Sequence, residues 1–211
     1  VTTAIIGMGN IGGRLAANLA RGGEPLLLAS REPQDAVDTA ARLGDGTRAV
    51  TVDEAVERAD VLVLAVWFET IKELIASWGD RLDGKIVVDP SNPIAVDDKG
   101  AFSKTLPEDQ SSGAVIASLL PDGARLVKAF GTLTANTLTD AAHRTPPRAA
   151  EFYATDDPAA GDTVARLITA GGYDPVPVGG IDQSIRIEVF GDLHESGLGT
   201  TLTAEEAAAK V

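Results

Sequence analysis

The stretch Gly7-Met8-Gly9-Asn10-Ile11-Gly12 is a GxGxxG turn, with an apolar run, Thr3–Ile6, before it and a helical stripe after it. The stripe is Ile11, Leu15, Ala16 and Leu19, and Gly22-Gly23 supplies its stop. A strand entering a helix through glycines at this spacing constrains the fold more than any other feature of the chain. Gly7 permits the tight turn, Gly9 lets a pyrophosphate approach the backbone, and Gly12 lets helix pack on strand. Free N–H groups at the helix start then face the anion, aided by the helix dipole. The alternative is a glycine-rich turn that holds no ligand.

The same alternation continues along the chain. Short β-type runs at Leu26–Ala29, Ala49–Val52, Val61–Val66, Ile86–Asp89, Leu126–Ala129, Glu151–Ala154 and Pro175–Val178 alternate with helical patterns. That order is the signature of βαβ units and a parallel sheet. Val37, Ala40, Ala41 and Leu43 form a second stripe ended by Gly44. Asp53 reads as the N-cap of a short helix, and Thr70–Trp78 as the helix after the fourth strand. Asp89-Pro-Ser-Asn-Pro93 turns the chain out of the sheet. A loop to about residue 110 follows, then a helix near Ser111–Leu120, the sixth strand, and an irregular excursion over Gly131–Arg148. Asp162–Ala170 is the helix of a last βαβ-like unit.

The expected fold class is α/β, a Rossmann doubly wound parallel sheet. At about 150 residues per domain, 211 residues make one full domain and a small appendage. The division expected is a Rossmann domain over residues 1–155 and a small C-terminal extension over 156–211 that closes the site.

Eighteen Lys and Arg against 31 Asp and Glu give a net charge of −13. Nucleic acid or an anionic membrane surface would repel such a chain, although a local loop can still bind a small anion. The absence of cysteine excludes disulfides and thiolate metal sites, and two histidines leave no zinc cluster, so no metal is expected. The longest apolar run, Val61–Phe68, is eight residues and too short to span a bilayer. The N-terminus does not read as a signal peptide, and the expected compartment is the cytoplasm.

The end of the second strand selects the dinucleotide. NAD sites place an acidic residue there for the ribose 2′-OH, whereas an arginine accommodates a 2′-phosphate. This chain has Ala29-Ser30-Arg31, so NADP is the expected cofactor. A cation at a helix start opposes the dipole, which disfavours reading Arg31 as a merely solvated charge.

Ligands in such sheets sit outside the carboxyl ends of the strands. That places Ala65-Val66-Trp67-Phe68, Asp89–Pro93, Lys128–Thr132 and the tail near Gly180 around the reacting ring. Trp67 and Phe68 are candidates to stack on a planar ring, or a core pair capping the sheet. Ser91, Asn92 and Thr132 are candidate hydrogen-bonding groups, or turn residues. Lys128 is either buried beside an anion or an edge lysine, and Phe130 is a candidate pocket residue. His143 reads as a surface residue, and His194 as a candidate site residue.

A short-chain dehydrogenase needs Tyr-x-x-x-Lys, but Tyr153 and Tyr173 are followed four places on by Asp157 and Pro177. No helical domain is long enough to supply the lysine of a hydroxyacid dehydrogenase. A redox enzyme without a clear general acid suits an acceptor that needs none. Hydride transfer between stacked rings is such a case, because the developing charge is delocalised.

These residues resemble the NADPH-dependent coenzyme F420 reductases, also called F420-dependent NADP oxidoreductases. The likeness runs through Ile5–Gly12, Ala29-Ser30-Arg31, Val87–Ile94, Leu126–Leu133, Tyr153–Asp157 and Gly172–Gly180. It implies a Rossmann domain with a short extension over a deazaflavin pocket, and hydride exchange between NADP(H) and coenzyme F420. By the resemblance, Gly7, Met8, Gly9, Asn10 and Ile11 hold the pyrophosphate and Ser30 with Arg31 the 2′-phosphate, while Ala65, Val66, Trp67 and Asn92 flank the nicotinamide. Small reductases of this kind commonly pair through the C-terminal part, so a homodimer is expected. The chain departs from the family in having Trp67 where proline is frequent, and Gly131 where asparagine is commoner. Two other readings stay open: an NADPH-dependent reductase of another small acceptor (flavin, quinone, imine or carbonyl), and a non-catalytic NADP(H)-sensing module.

Overall fold

The computed structural model describes residues 1–211. The first half alternates strand and helix: β1 (Thr3–Ile6), α1 (Asn10–Arg21), β2 (Leu26–Ala29), α2 (Pro33–Leu43), β3 (Thr47–Ala49), α3 (Val52–Arg58), β4 (Val61–Leu64), α4 (Phe68–Trp78) and β5 (Ile86–Asp89). A small hairpin, β6 (Ile94–Val96) and β7 (Phe102–Lys104), precedes α5 (Ser112–Leu119) and β8 (Arg125–Ala129). The last part holds α6 (Ala135–Asp140), β9 (Ala150–Ala154), α7 (Pro158–Ala170) and β10 (Asp174–Pro177). The tail carries the short helices α8 (Ser184–Ile187), α9 (Glu195–Leu198) and α10 (Ala204–Ala208).

Eight strands form one sheet in the order β10-β9-β8-β5-β4-β1-β2-β3. Every pair is parallel except β8 with β9. This is the Rossmann-like α/β arrangement, with β1 at the point where strand order reverses. Ile6 pairs with both Ala29 and Leu64, so β1, β2 and β4 end level. Asp89 pairs with Lys128, which brings the ends of β5 and β8 together. Because β9 runs the other way, its first residues, Ala150 and Glu151, lie at this same carboxyl edge.

Successive strand residues point to opposite faces and build a core on each. Ile5, Leu28, Val63, Val88 and Val127 pack under α1 and α7, with Leu15, Leu19, Val164 and Ile168. Ile6, Leu27, Leu62, Leu64 and Val87 pack on the other face with Ile71, Ile75, Trp78 and Ile116. A third cluster, including Phe152, Val176, Ile187, Leu193 and Leu202, docks the tail on β9 and β10.

Four local expectations are corrected. The third strand is Thr47–Ala49 rather than Ala49–Val52, and Thr51, not Asp53, caps α3. The reason is a capping box: Thr51 Oγ1 accepts from the Glu54 N–H at 3.1 Å, and the Thr51 N–H donates to Glu54 Oε2 at 2.8 Å. The loop before residue 110 contains the β6–β7 hairpin, and Gly131–Arg148 contains α6, capped by Thr134. Residue 155 lies between β9 and α7, and β10 of the C-terminal part pairs with β9.

Candidate NADP site

The glycine turn explains itself residue by residue. Gly7 has φ 99°, and a Cβ there would lie 2.5 Å from the Ala65 carbonyl oxygen and 2.7 Å from Val66 Cγ1. A Cβ on Gly12 would lie 1.7 Å from the Gly7 carbonyl oxygen. Both are fixed by the protein's own packing. Gly9 differs: its φ is −75°, and a Cβ would meet nothing within 4 Å. Neither strain nor contact in the chain requires glycine there, but a ligand against the backbone would.

The N-terminus of α1 has no side-chain cap and no acidic residue in its first turn. Helices α3, α5, α6, α7 and α10 are each capped by a Thr, Ser or Asp. The uncapped long helices, α1, α2 and α4, are those that follow β1, β2 and β4 at the carboxyl edge. Of the three, α1 alone has no acidic residue in its first turn, and its free N–H groups and positive dipole end suit phosphate oxygens. Met8 is half-buried against the core, and Asn10 and Ile11 open the helix.

Ser30 is half-buried at the end of β2. The Arg31 side chain is 94% exposed, with Glu32 3.6 Å away. A solvated guanidinium beside a free helix start is available to a phosphate monoester. These groups fit NADP: an open backbone cradle, free N–H donors, and a cation where a 2′-phosphate falls.

The half of the edge near β4, β5 and β8 is more varied. Ala65 and Val66 abut the glycine turn, and Trp67 is 63% exposed at the start of α4. Phe68 points elsewhere. It is buried among the α3 and α4 contacts, with Lys72 Nζ 4.8 Å from its ring centroid, because helical spacing turns it to the core. Asn92 is a bridge: Nδ2 donates to the Gly131 carbonyl at 3.0 Å, and Oδ1 accepts from the Val189 N–H at 2.7 Å.

Lys128 is buried, not at an edge. Its Nζ donates to Asp89 Oδ2 at 2.8 Å, to Ser112 Oγ at 2.7 Å and to the Ser91 carbonyl, with Glu188 Oε1 3.7 Å away. No face of the ammonium is left for an acceptor. Glu188, which sequence reading missed, also accepts from the Ser112 and Gly113 N–H groups and so caps α5. His194 is buried, and its Nδ1 accepts from the Ser196 N–H at 3.0 Å, capping α9. Burial holds its pKa below the ordinary histidine value, against the upward effect of Glu195 and the Gly131 backbone. His143 is half-buried rather than a free surface group, its Nε2 2.9 Å from the Asn18 carbonyl oxygen.

Phe130 is 1% exposed and Thr132 is buried with its hydroxyl unpartnered. Close by is a group that sequence reading passed over, Glu151. It is fully buried, both carboxyl oxygens lack a well-aligned partner, and burial pushes its pKa up to about 8. The proximity of Thr132 and of the Phe130 backbone acts in the opposite direction but more weakly. An acidic residue opening the apolar run Glu151–Ala154 was the available signal. Two surface depressions, one lined by Leu120, Arg125 and Asp157 and one by Glu57, Arg81 and Lys85, lie at the amino ends of the strands, away from this edge.

Residues 2–93 match the family described as NADP oxidoreductase coenzyme F420-dependent. Metalloreductase STEAP3 of Rattus norvegicus is 30% identical over 186 residues, 88% of this chain and 35% of that protein. The F420-dependent NADP reductase of Methanothermobacter marburgensis is 29% identical over 143 residues, 64% of each chain. The solved structure of a hypothetical protein from Sinorhizobium meliloti superposes with a TM-score of 0.84 at 31% identity, covering 96% of this chain and 95% of that one. The chain thus spans about a third of the length of the first curated relative and just under two thirds of the second. Fold and glycine turn define the class, a Rossmann sheet with a dinucleotide-binding edge, and the proteins it resembles include NADP oxidoreductases. Within that class residues 2–93 resemble the coenzyme F420-dependent NADP oxidoreductase family.

Proposed function

We propose that this protein passes hydride between NADPH and coenzyme F420, a deazaflavin, by ring stacking at the carboxyl ends of β4, β5 and β8. The observation that carries this reading is that the candidate proton donors at this edge, Lys128, His194 and Glu151, are all buried away from solvent. Lys128 is enclosed by Asp89, Ser91 and Ser112, and His194 Nδ1 accepts a backbone bond. An acceptor that spreads its charge over a planar ring needs none of these groups, since backbone N–H donors suffice. The M. marburgensis relative, named for this activity, supports the same reading.

NADPH, when bound, supplies the hydride. The chain binds its pyrophosphate with Gly7, Met8, Gly9, Asn10, Ile11 and Gly12, and its 2′-phosphate with Ser30 and Arg31. Ala65, Val66, Trp67 and Asn92 orient the ring, and Asn92 holds the loop after β5 against the tail so that water is excluded from that side. Residues 156–211 close the acceptor side, and the C-terminal part pairs two copies in the cytoplasm. No helix of the protein is long and apolar enough to cross a membrane.

A second reading keeps the NADPH half-site and changes the acceptor to a flavin, quinone, imine or carbonyl. The relative named a metalloreductase favours it, because that protein serves another acceptor with a related chain. Loss of nicotinamide absorbance, followed with F420 and with a plain flavin in parallel, separates the two. Turnover with F420 alone is the expected result. Turnover with flavin alone selects the second reading, and NADPH binding without any turnover selects the sensing module.

A further inference from the structure

Two aromatic residues hold left-handed backbone at the acceptor edge, Phe130 at φ 63° and Phe190 at φ 76°. Bulky side chains rarely adopt this region, and such strain persists only where the surroundings impose it. Phe130 has a packing reason, since its ring is 1% exposed and belongs to the core beneath α1. Phe190 has none. It is 58% exposed, so the chain keeps a strained backbone there without burying the ring.

The Phe190 turn is rigid on both sides. Glu188 before it is buried, and its carboxylate accepts from the Ser112 N–H, the Ser112 hydroxyl and the Gly113 N–H, each at 2.9 Å. Leu193 after it is buried, and its N–H donates to the Arg186 carbonyl at 2.9 Å. A Cβ on Gly191 would lie 2.3 Å from the Arg186 carbonyl oxygen, so the turn is closed as tightly as glycine allows. Asn92 then joins the two strained turns. Its amide bonds the carbonyl of Gly131, next to Phe130, and the N–H of Val189, next to Phe190. One side chain at the end of β5 thereby fixes both.

We propose that Phe190 is the stacking wall of the acceptor site, an exposed ring held beside Asn92 to receive one face of a planar conjugated acceptor. This rests on the hydride-transfer reading and names the residue that selects planar acceptors within it. A ring already placed by a rigid turn loses little freedom when a second ring stacks on it, so the contact shows as affinity.

Steady-state kinetics and thermal unfolding of the full chain, wild type against Phe190→Gly and Phe190→Tyr, test it. Glycine relieves the left-handed strain, so Phe190→Gly raises Tm by roughly 2–4 °C. The same variant raises KM for F420 by roughly 3- to 10-fold, as the loss of one stacked ring would, and leaves KM for NADPH unchanged. Phe190→Tyr restores the wild-type KM. A wild-type enzyme that turns over F420 with the same KM in Phe190→Gly overturns the inference. So does a fall in Tm accompanied by parallel losses in both KM values, since that marks a structural role. A change of oligomeric state on gel filtration with KM unchanged would assign the ring to a second copy and overturn it as well. If wild type oxidises NADPH with neither F420 nor flavin, the hydride-transfer reading itself fails and takes this inference with it.

Discussion

Arg31 extends into solvent at the end of β2, its nearest carboxylate the adjacent Glu32 at 3.6 Å. A cation at a helix start opposes the dipole, and its one close carboxylate is the exposed Glu32, so an anion placed there gains from the guanidinium. A charge-assisted bond of this kind is worth about 1.5–3 kcal/mol. Arg31→Ala should therefore raise KM for NADPH by roughly 10- to 100-fold and leave that for NADH nearly unchanged. The ratio of kcat/KM for the two nucleotides measures it. This residue was legible in the sequence because its role depends only on its place after a strand. Glu151 was not, because its role depends on what β9 packs against. Its carboxyl, buried beside Thr132 and near Glu195 and Tyr173, holds its proton to about pH 8. In the unfolded chain it releases that proton near 4.3. Between these values the native state binds more protons than the unfolded state, so stability falls as pH rises and levels off above 8. Glu151→Gln should raise Tm at pH 8 by several degrees and change little at pH 4. Thermal melts across that range would show it, and a constant offset between the two proteins would contradict it.

At the scale of elements, the N-terminus of α1 separates glycines that serve the fold from one that serves the ligand. Gly12→Ala places a methyl group 1.7 Å from the Gly7 carbonyl oxygen and must part the helix from its strand. It should lower stability by about 1–3 kcal/mol, as overpacking does. Gly9→Ala meets open space at an ordinary φ, so it should melt within a degree or two of wild type while binding NADPH at least tenfold more weakly. Thermal unfolding with and without NADPH distinguishes them, and a folded Gly9→Ala protein that binds normally would remove the pyrophosphate assignment. The long strands and α1 were legible because one local pattern specifies each. Helix α6 was not, since Ala135-Asn-Thr-Leu-Thr-Asp140 has weak helix propensity. It is held by Glu195, far along the chain, which accepts from the Thr134 N–H and the Thr137 hydroxyl, each at 2.6 Å. The β6–β7 hairpin escaped for a similar reason, its three-residue strands carrying no apolar alternation. At α3 the signal was present and misassigned, because Thr51-x-x-Glu54 is a capping box in sequence as well as in structure.

The molecule as a whole is joined by the ions around Lys128. One ammonium from β8 meets Asp89 at the end of β5 and lies 3.7 Å from Glu188 of the tail, all three nearly inaccessible to solvent. The Ser91 N–H donates to Asp89, and the first residues of α5 donate to Glu188, so both carboxylates are satisfied. Sequence composition offered Lys128 as either a buried or an edge residue, since only the register Asp89↔Lys128 and the return of the tail decide it. Removing the cation leaves two buried carboxylates without a counter-charge. Lys128→Met should accordingly cost about 3–5 kcal/mol, the penalty of an unpaired buried ion. Glu188→Gln has a different signature, because the Lys128–Asp89 pair survives and only the tail loses its anchor. Global unfolding in urea should then change less than in Lys128→Met, while amide exchange quickens across residues 188–198. Equal global losses in the two variants, with no selective loosening of the tail, would show that Glu188 supports the sheet rather than fastening the C-terminal segment over its carboxyl edge.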